Sequence, residues 1–259
     1  MGGKNFISFI KKLCGVLVVI LIISGSSTAY ARAGGGGGSS GGGGGGTGGS
    51  HSSSRNSTGS RNPISAILSF GAFAIMASAG TIILRAQIGK KKVKSISVIK
   101  DLSKSDDNWN YKNIKREIEE TFYKVQTAWM ERDQDLAKEY MSEELYTKHR
   151  TQTEWMKIKK QKNILKGITL LGASPIGVED HEGIDKDIIW VHIKAKSQDY
   201  IIDEETNEVI EGKARRYVQF EEYWKFIRKE QRWVLDEIRQ IDEISDLNFF
   251  TIDVNNKDQ

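Results

Sequence analysis

Not one Asp or Glu precedes Asp101, yet the same hundred residues hold twelve Lys and Arg. The front of the chain therefore carries +12, and the formal total of +4 leaves −8 on residues 101–259. A break this sharp separates two physical regimes: a basic, membrane-directed front and an acidic folded domain of about 150 residues. A domain of that size buries roughly 68–70% of its unfolded surface, enough for one core. Cys14 is the only cysteine, which excludes disulfides and cysteine metal sites from the domain. The histidines (51, 149, 181 and 192) show no paired ligand spacing, so neither metal nor cofactor is implied.

Within the front, Leu13 to Ile23 is an apolar run behind Lys4, Lys11 and Lys12, followed by Ala29-Tyr30-Ala31. Residues 1–31 thus read as a signal peptide cut after Ala31, with an uncleaved anchor as the alternative. Residues 32–62 are rich in Gly and Ser and read as a flexible tether. Their many G-x-G-x-x-G matches carry no nucleotide meaning, because no strand precedes them. Ile64 to Leu84 is free of charge and long enough, at ~31 Å as a helix, to cross a hydrocarbon core. The sequence accordingly predicts a transmembrane helix over 63–88 and a basic juxtamembrane segment over 89–104. A soluble domain over 105–250 and a tail over 251–259 complete the division.

Lys90, Lys91, Lys92 and Lys94 follow the apolar run and outnumber Arg55 and Arg61 before it, which places the lysine side in the cytoplasm. A cleaved signal and an uncleaved anchor give the same result for residues 90–259. The expectation is a cell-membrane protein, single-pass after cleavage, with its domain in the cytoplasm. The four lysines form a candidate membrane surface, each gaining ~1 kcal/mol near anionic lipid.

The domain changes period midway. Ile114, Ile118, Phe122, Val125 and Trp129 are spaced for one helical face. A shorter helix with Leu136 and Tyr140 follows, then a third, capped by Ser142, carrying Leu145, Trp155 and Ile158 to about Asn163. After it, Ile189, Val191, Ile193 and Ala195 alternate with polar or large partners, and two further strands meet in a hairpin at "RKEQ". Three helices followed by antiparallel strands make an α+β cone.

Phe122, Gln126, Ala128-Trp129, the "YMSEELY" turn from Tyr140 to Tyr146, and the ending Glu222-x-Trp224-x-Phe226-x-Arg228 then Trp233-x-Leu235 resemble the Tim-forty-four-like domain family. The resemblance spans roughly residues 105–245. It implies a nuclear-transport-factor-two-like cone, three helices on a curved antiparallel sheet. It also implies association with a membrane face and a pocket for lipid or peptide. A signal segment, a glycine tract and a spanning helix stand where the mitochondrial members have their motor-binding region.

One residue stands out against this pattern. Alternation sets Glu222 on the same strand face as Val218, Phe220, Trp224 and Phe226. Three roles fit a carboxylate there: a structural ion pair with Arg216 or Arg228, a ligand or partner contact, or a catalytic acid paired with His192. Candidate pocket residues are Trp129, Trp190, His192, Phe220, Glu222, Trp224 and Trp233. Lys148 to Lys166 holds seven Lys and Arg against one Glu, and Lys157, Lys159, Lys160 and Lys162 form a candidate basic patch. His149, on this stretch, reads as solvated.

Two functions compete. The first is a non-enzymatic, membrane-anchored adaptor that binds lipid of the anionic leaflet, a membrane protein, or a ribosome or peptide partner. Nucleic acid suits it less, since Trp155 is the only stacking aromatic in the patch. The second is a membrane-tethered isomerase or dehydratase using Glu222 and His192. The first is favoured because no catalytic constellation is present. Topology is directly testable. A cysteine at Ser103 is expected to resist impermeant thiol reagents in intact cells while one at Ser40 reacts; labelling at 103 overturns the cytoplasmic assignment.

Overall fold

The computed structural model describes residues 32–33, 63–183, 186–244 and 246–254, without the side chains of 63–82, 242 and 254. The signal segment and the glycine tract from residue 34 lie outside the described residues. Among those described, no helix is long and apolar enough to cross a membrane. The run expected to span falls almost wholly on side chains that are not described.

Helix α1 runs from Pro63 to Leu102 without interruption. Ile88, Ser95 and Ile99 are buried, Lys91 is half-buried, and Leu84, Val98 and Leu102 are packed from the same side. This is a helical spacing, so one face of the lysine-rich stretch lies on the domain. Residues 89–104 are therefore packed structure up to Leu102, continuous with the apolar helix before them.

Helix α2 (Tyr111–Glu131) starts where the Asn110 side chain accepts from the Lys112 and Asn113 amides. It ends at Arg132, whose left-handed backbone lets its N–H reach Ala128 and Trp129 carbonyls. Ile114, Ile118, Phe122, Val125 and Trp129 are all buried, as their spacing predicts. The expected second helix is instead a 3-10 turn, Gln134–Tyr140, with Leu136 exposed. Helix α3 (Glu143–Ile158) is capped by Ser142 as expected, but stops five residues short of Asn163. Lys160 adopts a positive φ of 55°, and the chain enters a strand at Gln161. Trp155 and Ile158 consequently face solvent and not the core.

The strands are β1 (Gln161–Asp180), β2 (Ile188–Asp203), β3 (Val209–Gly212), β4 (Val218–Lys229), β5 (Arg232–Gln240) and β6 (Ile252–Val254). They form one sheet in the order β5-β4-β2-β1-β6, with β3 beside β2. All pairs are antiparallel except β1 with β6. Register shifts along β1 (Lys166/Thr169, Leu170/Gly172, Pro175/Gly177) and at Lys225/Phe226 of β4 interrupt the ladders. Such bulges add twist, and here they curl the sheet around α2.

Both faces of the sheet are apolar. Ile189, Val191, Ile193, Phe220, Trp224 and Phe226 meet α2, α3 and the end of α1 in the main core. Fully burying a side chain such as Phe122 contributes about 1.5–3 kcal/mol. Ile176, Trp190 and Tyr223 project from the other face, covered by Ile88 of α1 and by Ile244, Leu247 and Phe250 of the C-terminal segment. Helices on a single side of the sheet would have left this second set wet.

His149 departs from the solvated reading. It is buried against Trp129, with ring centroids 5.1 Å apart, and burial lowers its pKa from 6.5 to about 4. Its stabilising contribution is complete above the unfolded pKa near 6.5 and is lost as pH falls through the folded value. The shift corresponds to about 3 kcal/mol. In urea titrations, the stability of the native chain relative to His149→Leu is expected to decline by about that amount between pH 6.5 and 4. A difference that does not vary with pH would refute the buried neutral imidazole.

Candidate functional site

Strand β4 carries Glu222 toward the main core with no solvent exposure. Three donors hold its carboxylate. The Arg32 Nε donates to Oε1 at 2.7 Å, the Gln240 amide to the same oxygen at 3.1 Å, and the Trp224 indole N–H to Oε2 at 2.9 Å. Register explains two of them: Gln240 of β5 is the cross-strand partner of Glu222, and Trp224 is its next neighbour on that face.

The third partner comes from far away in sequence. Arg32 lies 190 positions before Glu222 and is itself 1% exposed. Its Nη2 donates to Gln240 Oε1 at 3.2 Å, its Nη1 is 3.6 Å from Asp199 Oδ2, and its guanidinium lies 3.9 Å over the Phe220 ring. Asp199, on β2, also accepts from the Asn163 amide of β1 at 3.1 Å. Burial raises the Asp199 pKa and Glu222 adds to this, against the opposing pull of Asn163 and Arg32. Gly212 closes this end of β2: with φ at +82°, any Cβ there would sit 2.3 Å from the Asp199 carbonyl. The site is a deep acidic pocket lined by an aromatic ring, and a guanidinium fills it.

Of the sequence-predicted pocket residues, Phe220, Glu222 and Trp224 come together here. Trp129 packs on His149, and Trp233 packs edge-on to Trp109 at 4.9 Å while donating to the Asn108 carbonyl. Trp190 and His192 are elsewhere: Trp190 belongs to the core of the opposite sheet face. His192 bonds Glu221, not Glu222, at 2.8 Å, and its ring lies 5.8 Å from Tyr223 of that second core. Burial lowers the His192 pKa despite Glu221, while Tyr223 is pushed up to about 12 by burial and by Glu221. The acid–base pairing of Glu222 with His192 is therefore excluded by one residue of register. Arg228 is likewise engaged apart from Glu222, bonding Asp106 at 2.6 Å and Asp187 at 3.0 Å. Among the described residues, no group of three or more His, Cys, Asp or Glu is placed to hold a metal.

Arg32, Asp199, Gln240 and Asn163 were not foreseen. Asp199 had a signal, because it continues the odd-numbered face of Ile193 and Ala195. Arg32 had none, since nothing local ties it to β4.

Most of this helix layer and sheet falls within one known module. Residues 95–240 match the family model described as the Tim44-like domain. The chain belongs to the Tim44-like domain family. The match begins inside α1, in keeping with the burial of Ser95 and Ile99. Among solved structures, the intermembrane-space region of the chloroplast protein ARC6 aligns at a TM-score of 0.35 and 12% identity, over 48% of this chain and 94% of that one. No curated protein matches the sequence.

The pocket makes a stability prediction. Glu222→Gln keeps the shape but loses charge and an acceptor, and is expected to cost about 1–3 kcal/mol. Glu222→Leu strips Arg32, Gln240 and Trp224 of their shared acceptor and is expected to cost about 3–5 kcal/mol. Urea unfolding of both variants checks this; equal losses would show that the carboxylate is not the acceptor these donors require.

Proposed function

We propose that the chain is a non-enzymatic binding module held at a membrane face, where its Tim44-like domain joins the membrane to a protein partner. Support comes first from the family, in which a protein-binding or adaptor role is the general one. The observation that carries the membrane-facing part is the patch at the end of α3. Trp155 is 58% exposed and Ile158 67% exposed, in a stretch that also holds Lys157, Lys159, Lys160 and Lys162. Large apolar side chains left in water among cations suit an anionic lipid surface. The four lysines come from three local structures. Lys157 closes α3, Lys159 and Lys160 make the turn, and Lys162 opens β1 with its Nζ 3.9 Å from Glu131.

A second basic surface accompanies it on α1. Lys90, Lys92 and Lys94 are exposed, whereas Lys91 donates to the Phe250 carbonyl at 2.5 Å. The apolar run before them serves as the anchor, with the domain on the lysine, cytoplasmic side. In that topology residue 32 lies across the membrane from the domain. The Arg32–Glu222 contact and a crossing by 64–84 are alternatives within one chain, so anchoring empties the pocket for a partner.

An environment-sensitive dye on Thr151→Cys, in a Cys14→Ser background, reports on the α3 patch in the full chain reconstituted in nanodiscs. Its emission is expected to shift to the blue with phosphatidylserine discs and not with phosphatidylcholine discs. Replacing Lys157, Lys159 and Lys160 by Gln should diminish the response, as should raised salt. A dye indifferent to lipid charge would sink the membrane-facing part of this reading.

A further inference from the structure

We propose that the Glu222 pocket is a receptor for an arginine side chain followed by a small residue, a site that Arg32–Ala33 of the same chain fills in this structure. The inference deepens the binding-module reading and rests on it for its biological use.

The pocket discriminates by geometry as well as by charge. A guanidinium presents a planar fork, and each part of that fork has its own partner: Nε on Glu222, Nη2 on Gln240, Nη1 beside Asp199, and the flat face on Phe220. An ammonium is a compact point charge that cannot engage the carboxylates in this fork while stacking. Other groups of the sheet hold both carboxylates alongside the cation. Trp224 and Gln240 hold Glu222 in place, and Asn163 does the same for Asp199. Two carboxylates face one guanidinium, which favours entry of a cation. The position after the arginine is selective too. Ala33 is fully buried within the main core, where a larger side chain would have to displace its neighbours.

The occupant is not part of the scaffold. Arg32 and Ala33 belong to no helix or strand, and a Gly/Ser-rich stretch separates them from α1 in sequence. Residues 34–62 join Ala33 covalently to α1, so a free peptide has to compete with an arginine of the same chain. Every other contributor to the pocket lies on β1, β2, β4 or β5. The arginine therefore has two possible sources sharing one chemistry: Arg32 of the same chain when 64–84 does not cross a membrane, or an arginine of another protein when it does.

The full-length protein tests both the chemistry and the source, using acetyl-Arg-Ala-amide and acetyl-Lys-Ala-amide as probes. In detergent, Arg32→Ala is expected to bind the arginine probe at least about ten-fold more tightly than the lysine probe, and Glu222→Gln in that background to abolish the difference. Equal binding of the two probes, no binding by Arg32→Ala, or indifference to Glu222→Gln would overturn the pocket. Should Arg32→Ala fold poorly, the thermal midpoint still reads binding, since a ligand specific for the native state raises it. Only the arginine probe should do so. The same titration on Arg32→Lys gives a second variant with the cation retained. Wild-type protein in vesicles then distinguishes the sources. Binding as tight as that of Arg32→Ala means that Arg32 is across the bilayer and the occupant comes from another protein. Binding weaker by about ten-fold or more means occupancy in cis. Loss of arginine selectivity with the Thr151 dye response intact sinks the pocket alone, while loss of both sinks the binding module with it.

Discussion

A carboxylate with no access to water, at the centre of the second strand of the sheet, needs a cation and a full set of hydrogen-bond donors. Glu222 has both, and satisfying it organises the surrounding structure. Its Oε2 fixes the Trp224 indole, which packs on Phe122 of α2, so the carboxylate helps set how the helix layer meets the sheet. Its Oε1 fixes Gln240 at the end of β5, where the chain leaves the sheet for the C-terminal segment. Replacing a buried ion pair with apolar groups is often nearly neutral, whereas removing one partner is costly. Such a pair is thus weak evidence for stability, and it is the fork-shaped geometry around Arg32 that suits the site to recognising a guanidinium.

Topology gives the same pair its meaning. An intramolecular contact requires both partners on one side of any membrane, and the apolar run 64–84 stands between them in the sequence. A crossing helix and an occupied pocket therefore report on each other. A crossing by residues 64–84 would take Arg32 out of the pocket and leave Glu222 and Asp199 without their cation, a cost that an arginine from a partner would offset.

How much of this was legible in the sequence depends on the range of each interaction. The α2 face, Ser142 as a cap and the alternation on β2 and β4 are set by neighbours within a few residues, and the period of the pattern revealed them. Boundaries where two local preferences compete were missed. Helix α3 has helix-forming residues through Lys162, yet β1 claims the chain from Gln161 because pairing with β2 along fifteen registered positions outweighs a last helical turn. The exposure of Trp155 and Ile158 follows from where α3 ends, which their apolar type alone does not show. His149 reads as solvated, flanked by Lys148 and Arg150, but is turned toward Trp129. For the pocket, the face of Glu222 was readable and so was that of Asp199. Their cation was not, because a single arginine in a glycine tract carries no periodicity.

The second sheet face adds a mechanical constraint that the pocket alone would not reveal. Alternate residues of β2 and β4 send Trp190 and Tyr223 away from the helices, and Ile88 of α1 is part of what covers them. Lys91 ties the same helix to the Phe250 carbonyl, and Ser95 and Ile99 continue the contact into the main core. Helix α1 runs without interruption from its apolar beginning into the domain, with its one proline at the first position, where it does not bend the helix. Whatever orients the apolar run also orients the sheet, and with it the Glu222 site. Lys90, Lys92 and Lys94 lie off the packed face, so cationic contacts made there act on a lever rigidly joined to the site. A flexible linker in place of this helix would let the domain turn freely; the packed helix fixes the sheet relative to the apolar run.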